Sequence, residues 1–190
     1  YQRLFASAFE DAEVSNENFL KALAQFMVTM ISSNSKYDKY VRNEEGGEFS
    51  DLEKEGLAVF ESKCATCHAT DLFTDNSFRN NGLPPYAGID DVGRAEVSGS
   101  LADNYKFKVP SLRNVAITAP YMHDGRFGSL QSVLNFYNSG VQESETLDPI
   151  LKQNDRLGIV LTTDEQEALI AFLNTLTDNE FLEDARFAEY

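Results

Sequence analysis

Cys64-Ala65-Thr66-Cys67-His68 is the stretch on which the reading of this chain turns. Two thiols three positions apart, followed at once by an imidazole, form the attachment pattern for haem c. Each thiol adds its S–H across one vinyl C=C of the porphyrin. Sulfur bonds to one carbon and the proton goes to the other, so no oxidant is needed. The adjoining His68 then lies beneath the iron as its proximal ligand. A Cys-x-x-Cys pair also serves dithiol redox sites, half-sites for zinc and plain disulfides. A zinc site would need all of Cys64, Cys67, His68 and His123, in a spacing that matches no common finger or ribbon. A thioredoxin-like site would need a βαβ setting, whereas these neighbours are helical and loop-rich. The immediate histidine is what those readings leave unexplained.

Working outward, the 190 residues suffice for one sizeable core with an appended element. No apolar run approaches a membrane span. The net charge of −15 argues against nucleic acid, whose phosphates need a basic surface. It suits solubility, and would also attract a basic electron-transfer partner. The chain begins at Tyr1 rather than Met, as expected of a processed or trimmed piece. Covalent haem attachment takes place outside the bacterial cytoplasmic membrane, which implies a periplasmic location.

Upstream, Leu4, Phe5, Ala8 and Phe9 predict a short amphipathic helix. Ser15 caps a second, with Val14 and Phe19 as a hydrophobic staple. Phe19, Leu20, Leu23, Phe26, Met27, Met30 and Ile31 form its stripe, on which the methionines are expected as core rather than as iron ligands. Residues 32–49 read as a linker. Ser50-Asp51-Leu52-Glu53 is a capping box, so a helix runs from about 51 into the haem motif. Residues 69–108, punctuated by Gly82, Pro84, Pro85, Gly88, Gly93 and Gly99, predict a long loop wrapped around something. Ser129 caps a helix through Phe136 and Tyr137, stopped at Gly140, and Thr163-Asp164-Glu165-Gln166 opens the last one. The tail from 177 is acidic and aromatic. Strand alternation is nearly absent, so the fold class is mainly α.

For the second axial position the residues alone leave Met122, His123, several tyrosines or nothing. Met122, in a loop well after the motif, comes first and His123 second. A thioether favours reduced iron and raises the potential, whereas a phenolate stabilises ferric iron.

Longer motifs then carry a resemblance. Phe107-Lys108-Val109-Pro110-Ser111-Leu112-Arg113-Asn114-Val115 and Thr118-Ala119-Pro120-Tyr121-Met122-His123-Asp124-Gly125-Arg126-Phe127 strongly resemble the bacterial di-haem cytochrome c peroxidase and MauG superfamily. Asn34-Ser35-Lys36-Tyr37-Asp38-Lys39-Tyr40, Phe73-Thr74-Asp75 and Phe78-Arg79-Asn80-Asn81-Gly82-Leu83 add to the likeness. It implies a cytochrome c-like haem domain with long loops over 33–160. Residues 1–32 are then a helical remnant of an N-terminal haem domain. Residues 161–190 form a C-terminal helix and tail packing back on the interface with that missing domain.

The resemblance further implies one covalent haem c, on Cys64 and Cys67 with His68 as ligand. It moves the distal ligand from Met122 to Tyr137, the position matching the methionine of the peroxidase branch and the tyrosine of MauG-like members. It makes Thr118 and Pro120 backbone-carbonyl ligands of an inter-haem calcium, whose third protein ligand belongs to the missing domain. No catalytic residue is expected in the chain itself. The implied function is the electron-transfer domain of a periplasmic di-haem peroxidase that reduces hydrogen peroxide. Its expected partners are the N-terminal haem domain, a small donor protein such as a cytochrome c or cupredoxin, and a second copy in a homodimer. The alternatives are MauG-like oxidation of a protein substrate and a stand-alone mono-haem electron carrier.

Overall fold

A computed structural model describes every residue except Ala12, Ala87, Asp90, Asn154, Glu189 and Tyr190, the last two belonging to the acidic tail. The described chain is mainly helical and divides into two compact units, Tyr1–Asn34 with Asn179–Tyr190, and Ser35–Asp178.

In the first unit, α1 (Gln2–Ala8) precedes α2 (Asn16–Thr29), and Ser15 caps α2 by accepting the Asn18 N–H. The tail contributes α2's aromatic neighbour, with the Phe26 and Phe187 rings meeting edge-on at 5.9 Å. The apolar stripe expected as core is instead exposed. Phe19, Leu20 and Met27 each show more than half of their surface. The pattern that marks a helix face as apolar says nothing of which partner covers it.

The second unit is built on a helix pair. α4 (Asp51–Lys63) starts at the Ser50/Glu53 capping box. The next long helices are α6 (Leu130–Ser139), capped by Ser129, and α7 (Thr163–Asn174). The α7 box is Thr162 with Glu165, one residue earlier than the sequence reading placed it. Leu169, Phe172 and Leu176 are completely buried, against Phe49, Phe60 and Phe73. Thus α7 lies at the centre of this unit, which runs from Ser35 to Asp178. Helix α4 meets α7 closely at Gly56, where an added Cβ would sit 1.9 Å from the Ala168 carbonyl oxygen.

The stretch 32–49 is not all linker. It contains α3 (Lys36–Val41), opened by a capping box of Ser35 and Asp38. Aspartate in place of glutamate at the third helical position hid that signal. The Asp38 carboxylate also takes a two-pronged bond from Arg113, both arms at 2.9 Å, in a buried setting. Among the described residues of 69–108, regular structure is limited to α5 (Arg94–Ser98), one 3-10 turn and β1 (Phe78–Arg79) paired antiparallel with β2 (Phe107–Lys108). A second two-stranded ladder pairs β3 (Lys152–Gln153) antiparallel with β4 (Arg156–Leu157). Among the described residues no helix is long and apolar enough to cross a membrane.

Candidate haem site

Helix α4 ends in the motif. The Cys64 N–H still bonds the Phe60 carbonyl at 2.8 Å, and the Cys64 carbonyl then receives the N–H groups of Cys67 (3.2 Å) and His68 (3.0 Å). This tight turn sets the three side chains relative to one another. Past it the chain folds back, with Thr74 N–H on the Ala69 carbonyl and Asp75 N–H on that of Cys67. Phe73 anchors the return. Its ring is buried between Tyr37 and Phe60, with centroids at 4.9 and 5.6 Å. Its carbonyl faces outward and lies 3.0 Å from His68 Nδ1.

A carbonyl oxygen only accepts, so Nδ1 carries the proton and Nε2 keeps its lone pair. Burial lowers the pKa of His68, opposed by bonds to the Phe73 and Pro110 carbonyls. A neutral imidazole with one nitrogen fixed and the other basic has the form a metal ligand needs. Neither cysteine is in a disulfide. Burial and the neighbouring Cys67 push the Cys64 thiol up to about 12, and burial also raises that of Cys67. The described residues contain no group of three or more His, Cys, Asp or Glu that could hold a metal ion. His123 is not brought to the cysteines in such a group, and its exposed ring stacks on Phe107 at 3.7 Å. The disulfide and zinc alternatives therefore fit these residues poorly. Two free thiols beside a pinned histidine fit a porphyrin.

Helix α6 carries Tyr137. Its backbone is fixed, because its carbonyl accepts the Ile159 N–H at 2.7 Å. Gly158, at φ +85°, permits that approach, since a Cβ there would lie 2.3 Å from the same oxygen. Tyr137 and Met122 both pack against the buried cluster of Leu83, Phe136, Val141 and Leu151. Burial raises the pKa of its phenol, a bond from Asn81 opposes this, and the two motif thiols are near enough to add to the rise. The structure thus gathers Cys64, Cys67, Tyr137 and Met122 in one region, with His68 on the same turn as the thiols.

Two residues there carried no assigned role in the sequence reading. One is Phe73, whose carbonyl orients His68. The other is Asn81, whose Oδ1 accepts the Leu83 N–H at 3.2 Å and whose Nδ2 lies 3.5 Å from Met122 Sδ. The only sequence signal for either was its place in a longer motif.

Thr118 and Pro120 lie on an exposed stretch leading to Tyr121. Calcium takes about six to eight oxygens. Two carbonyls without an acidic cluster among the described residues do not make a calcium site by themselves.

The chain is similar to known proteins. The profile of the family described as di-haem cytochrome c peroxidase matches residues 1–46. The methylamine utilization protein MauG of Methylophilus methylotrophus is 36% identical over 93% of this chain and 51% of its own length. The cytochrome c551 peroxidase of Nitrosomonas europaea is 33% identical over 95% of this chain and 50% of its own. The crystal structure of a MauG-like protein associated with microbial copper homeostasis superposes with a TM-score of 0.77 at 29% identity, over 96% of this chain and 64% of that one. The chain spans about half the length of the curated relatives it matches.

Proposed function

Because this chain belongs to the di-haem cytochrome c peroxidase and MauG superfamily, we propose that it is the C-terminal, electron-transfer haem c domain of a periplasmic di-haem peroxidase. Cys64 and Cys67 would hold the porphyrin by thioether bonds, and His68 and Tyr137 would bind its iron. A haem c so held supplies one-electron chemistry between a small donor protein and the peroxidatic haem of an N-terminal domain. The chain's own part is to bind and orient. The Phe73 carbonyl fixes the His68 ring, and α6 holds Tyr137 in a largely apolar wall that keeps water out. The N-terminal domain would cover the apolar face of α2 and complete a calcium site that Thr118 and Pro120 only begin.

The observation that carries this reading is the convergence of two unbridged thiols, an Nδ1-anchored His68 and Tyr137. The test is expression in a host with haem-maturation machinery, followed by a denaturing gel stained for haem. Covalent haem is expected in the parent and absent from a Cys64→Ala/Cys67→Ala variant. A parent that stays colourless, with its thiols oxidised to each other while a control cytochrome matures normally, overturns the proposal.

A second reading, peroxide-dependent oxidation of a protein substrate as in MauG-like members, is favoured by Tyr137, since a phenolate holds iron in the ferric state. A midpoint potential well below that of His/Met cytochromes, measured by dye-mediated titration, supports it.

A further inference from the structure

The proposed site contains two residues able to bind iron opposite His68, and they lie together. Tyr137 and Met122 pack in one cluster. A thioether in that position would make a high-potential carrier and a phenolate a low-potential one, so the identity of the ligand sets what the domain does. Something must choose.

The side chain placed to choose is Asn81. Its orientation is settled by its own turn: the Leu83 N–H needs an acceptor, so Oδ1 faces Leu83. Nδ2, which only donates, is thereby directed at Met122 Sδ, 3.5 Å away. Met122 is held from behind as well. Its backbone sits at φ +73°, its carbonyl accepts the Gly125 N–H, and the flanking Tyr121 and Phe127 pair backbone to backbone.

We propose that Asn81 is a positioning residue that selects the distal ligand, its amide N–H tethering the Met122 thioether and so leaving the position opposite His68 to Tyr137. The fixed Oδ1 keeps that nitrogen from rotating away. The inference rests on the proposed function above, in which a haem occupies the site with His68 on one side and Tyr137 on the other.

The test uses the haem-loaded chain carrying Asn81→Asp, which keeps an acceptor for the Leu83 N–H but has no N–H to offer sulfur. The parent is expected to lack the long-wavelength methionine–iron charge-transfer band in its ferric spectrum. Asn81→Asp is expected to gain that band and to shift to a higher midpoint potential. The double variant Asn81→Asp/Met122→Leu is expected to lose the band and fall back in potential. Asn81→Leu, which removes both polar atoms without adding charge, should behave like Asn81→Asp. Parent-like spectra and potentials in both Asn81 variants overturn the selection by Asn81 and leave the Tyr137 ligand standing. A methionine band already present in the parent overturns the Tyr137 ligand itself, and the selection with it.

Discussion

Replacing Gly56 by alanine tests the helix pair that carries the haem motif. An added Cβ would lie 1.9 Å from the Ala168 carbonyl oxygen, 2.6 Å from its carbon and 2.8 Å from Phe172 Cβ. Ordinary non-bonded separation is ~3.5 Å, so relief requires α4 and α7 to part by about 1.5 Å. The nearest obstacles are backbone, which no rotamer change removes, and Phe172 is completely buried. Over-packing costs ~1–3 kcal/mol, and backbone opposition puts this site near the upper end. Alanine's better helix propensity offsets ~1 kcal/mol of that. The expected net loss is therefore about 2 kcal/mol, equivalent to a fall of ~4–8 °C in Tm for a domain of this size. The assay is thermal unfolding by circular dichroism, with Gly128→Ala as control, since a Cβ there meets nothing within 4 Å. The control should stay within ~0.5 kcal/mol of the parent. If Gly56→Ala melts at or above the parent temperature, helix propensity outweighs contact and the close-packing argument is wrong.

The buried Asp38–Arg113 pair leads to a pH prediction. Burial alone would raise the Asp38 pKa, but bonds from Arg113 and Ser35 outweigh it and leave the value lowered. A carboxylate lowered on folding contributes stability that is fully present above its unfolded pKa, about 3.8, and is lost as pH falls through the folded value. Urea unfolding between neutrality and strong acid should show that loss in the parent and a flatter profile in Asp38→Asn; identical slopes would remove the pair from the account. Arg113→Met, leaving the carboxylate buried and unpaired, should cost ~3–5 kcal/mol, read from the urea midpoint at pH 7. Phe73→Ala should cost ~3–5 kcal/mol and also loosen His68, since the ring that anchors its carbonyl partner is gone; an unchanged haem spectrum would show that the anchor is not needed. In haem-free protein at pH 8, a thiol reagent should modify Cys67 ahead of Cys64, because the Cys64 thiol is pushed up to about 12. Equal rates, both matching a free thiol, would contradict the burial of this turn.

Much of the local structure was legible without coordinates. The Ser50 and Ser129 caps and the helix running into Cys64 rest on contacts within a few residues, and short-range hydrogen-bonding rules suffice for those. The attachment motif is likewise local, two thiols and an imidazole on one turn. Where the local signal was ambiguous the reading slipped, as at Thr162, which nothing distinguishes from Thr163 until its backbone N–H is seen donating to the Glu165 carboxylate. The α3 helix was missed because its box uses aspartate, and because Asp38 is held in place by Arg113, 75 residues away in the chain.

What the amino-acid sequence determined by itself is therefore the chemistry: which groups are able to carry a porphyrin, and which helices bring them within a turn of one another. What only the tertiary structure decided is their poise. The Phe73 carbonyl on His68 depends on a ring sunk among Tyr37 and Phe60. The meeting of Asn81, Met122 and Tyr137 joins three segments through contacts 41 residues apart and more. The approach of α4 to α7 depends on a missing side chain at Gly56. Such contacts form only when distant segments share one packed volume, and no periodicity or cap along the chain encodes which partner that volume will supply.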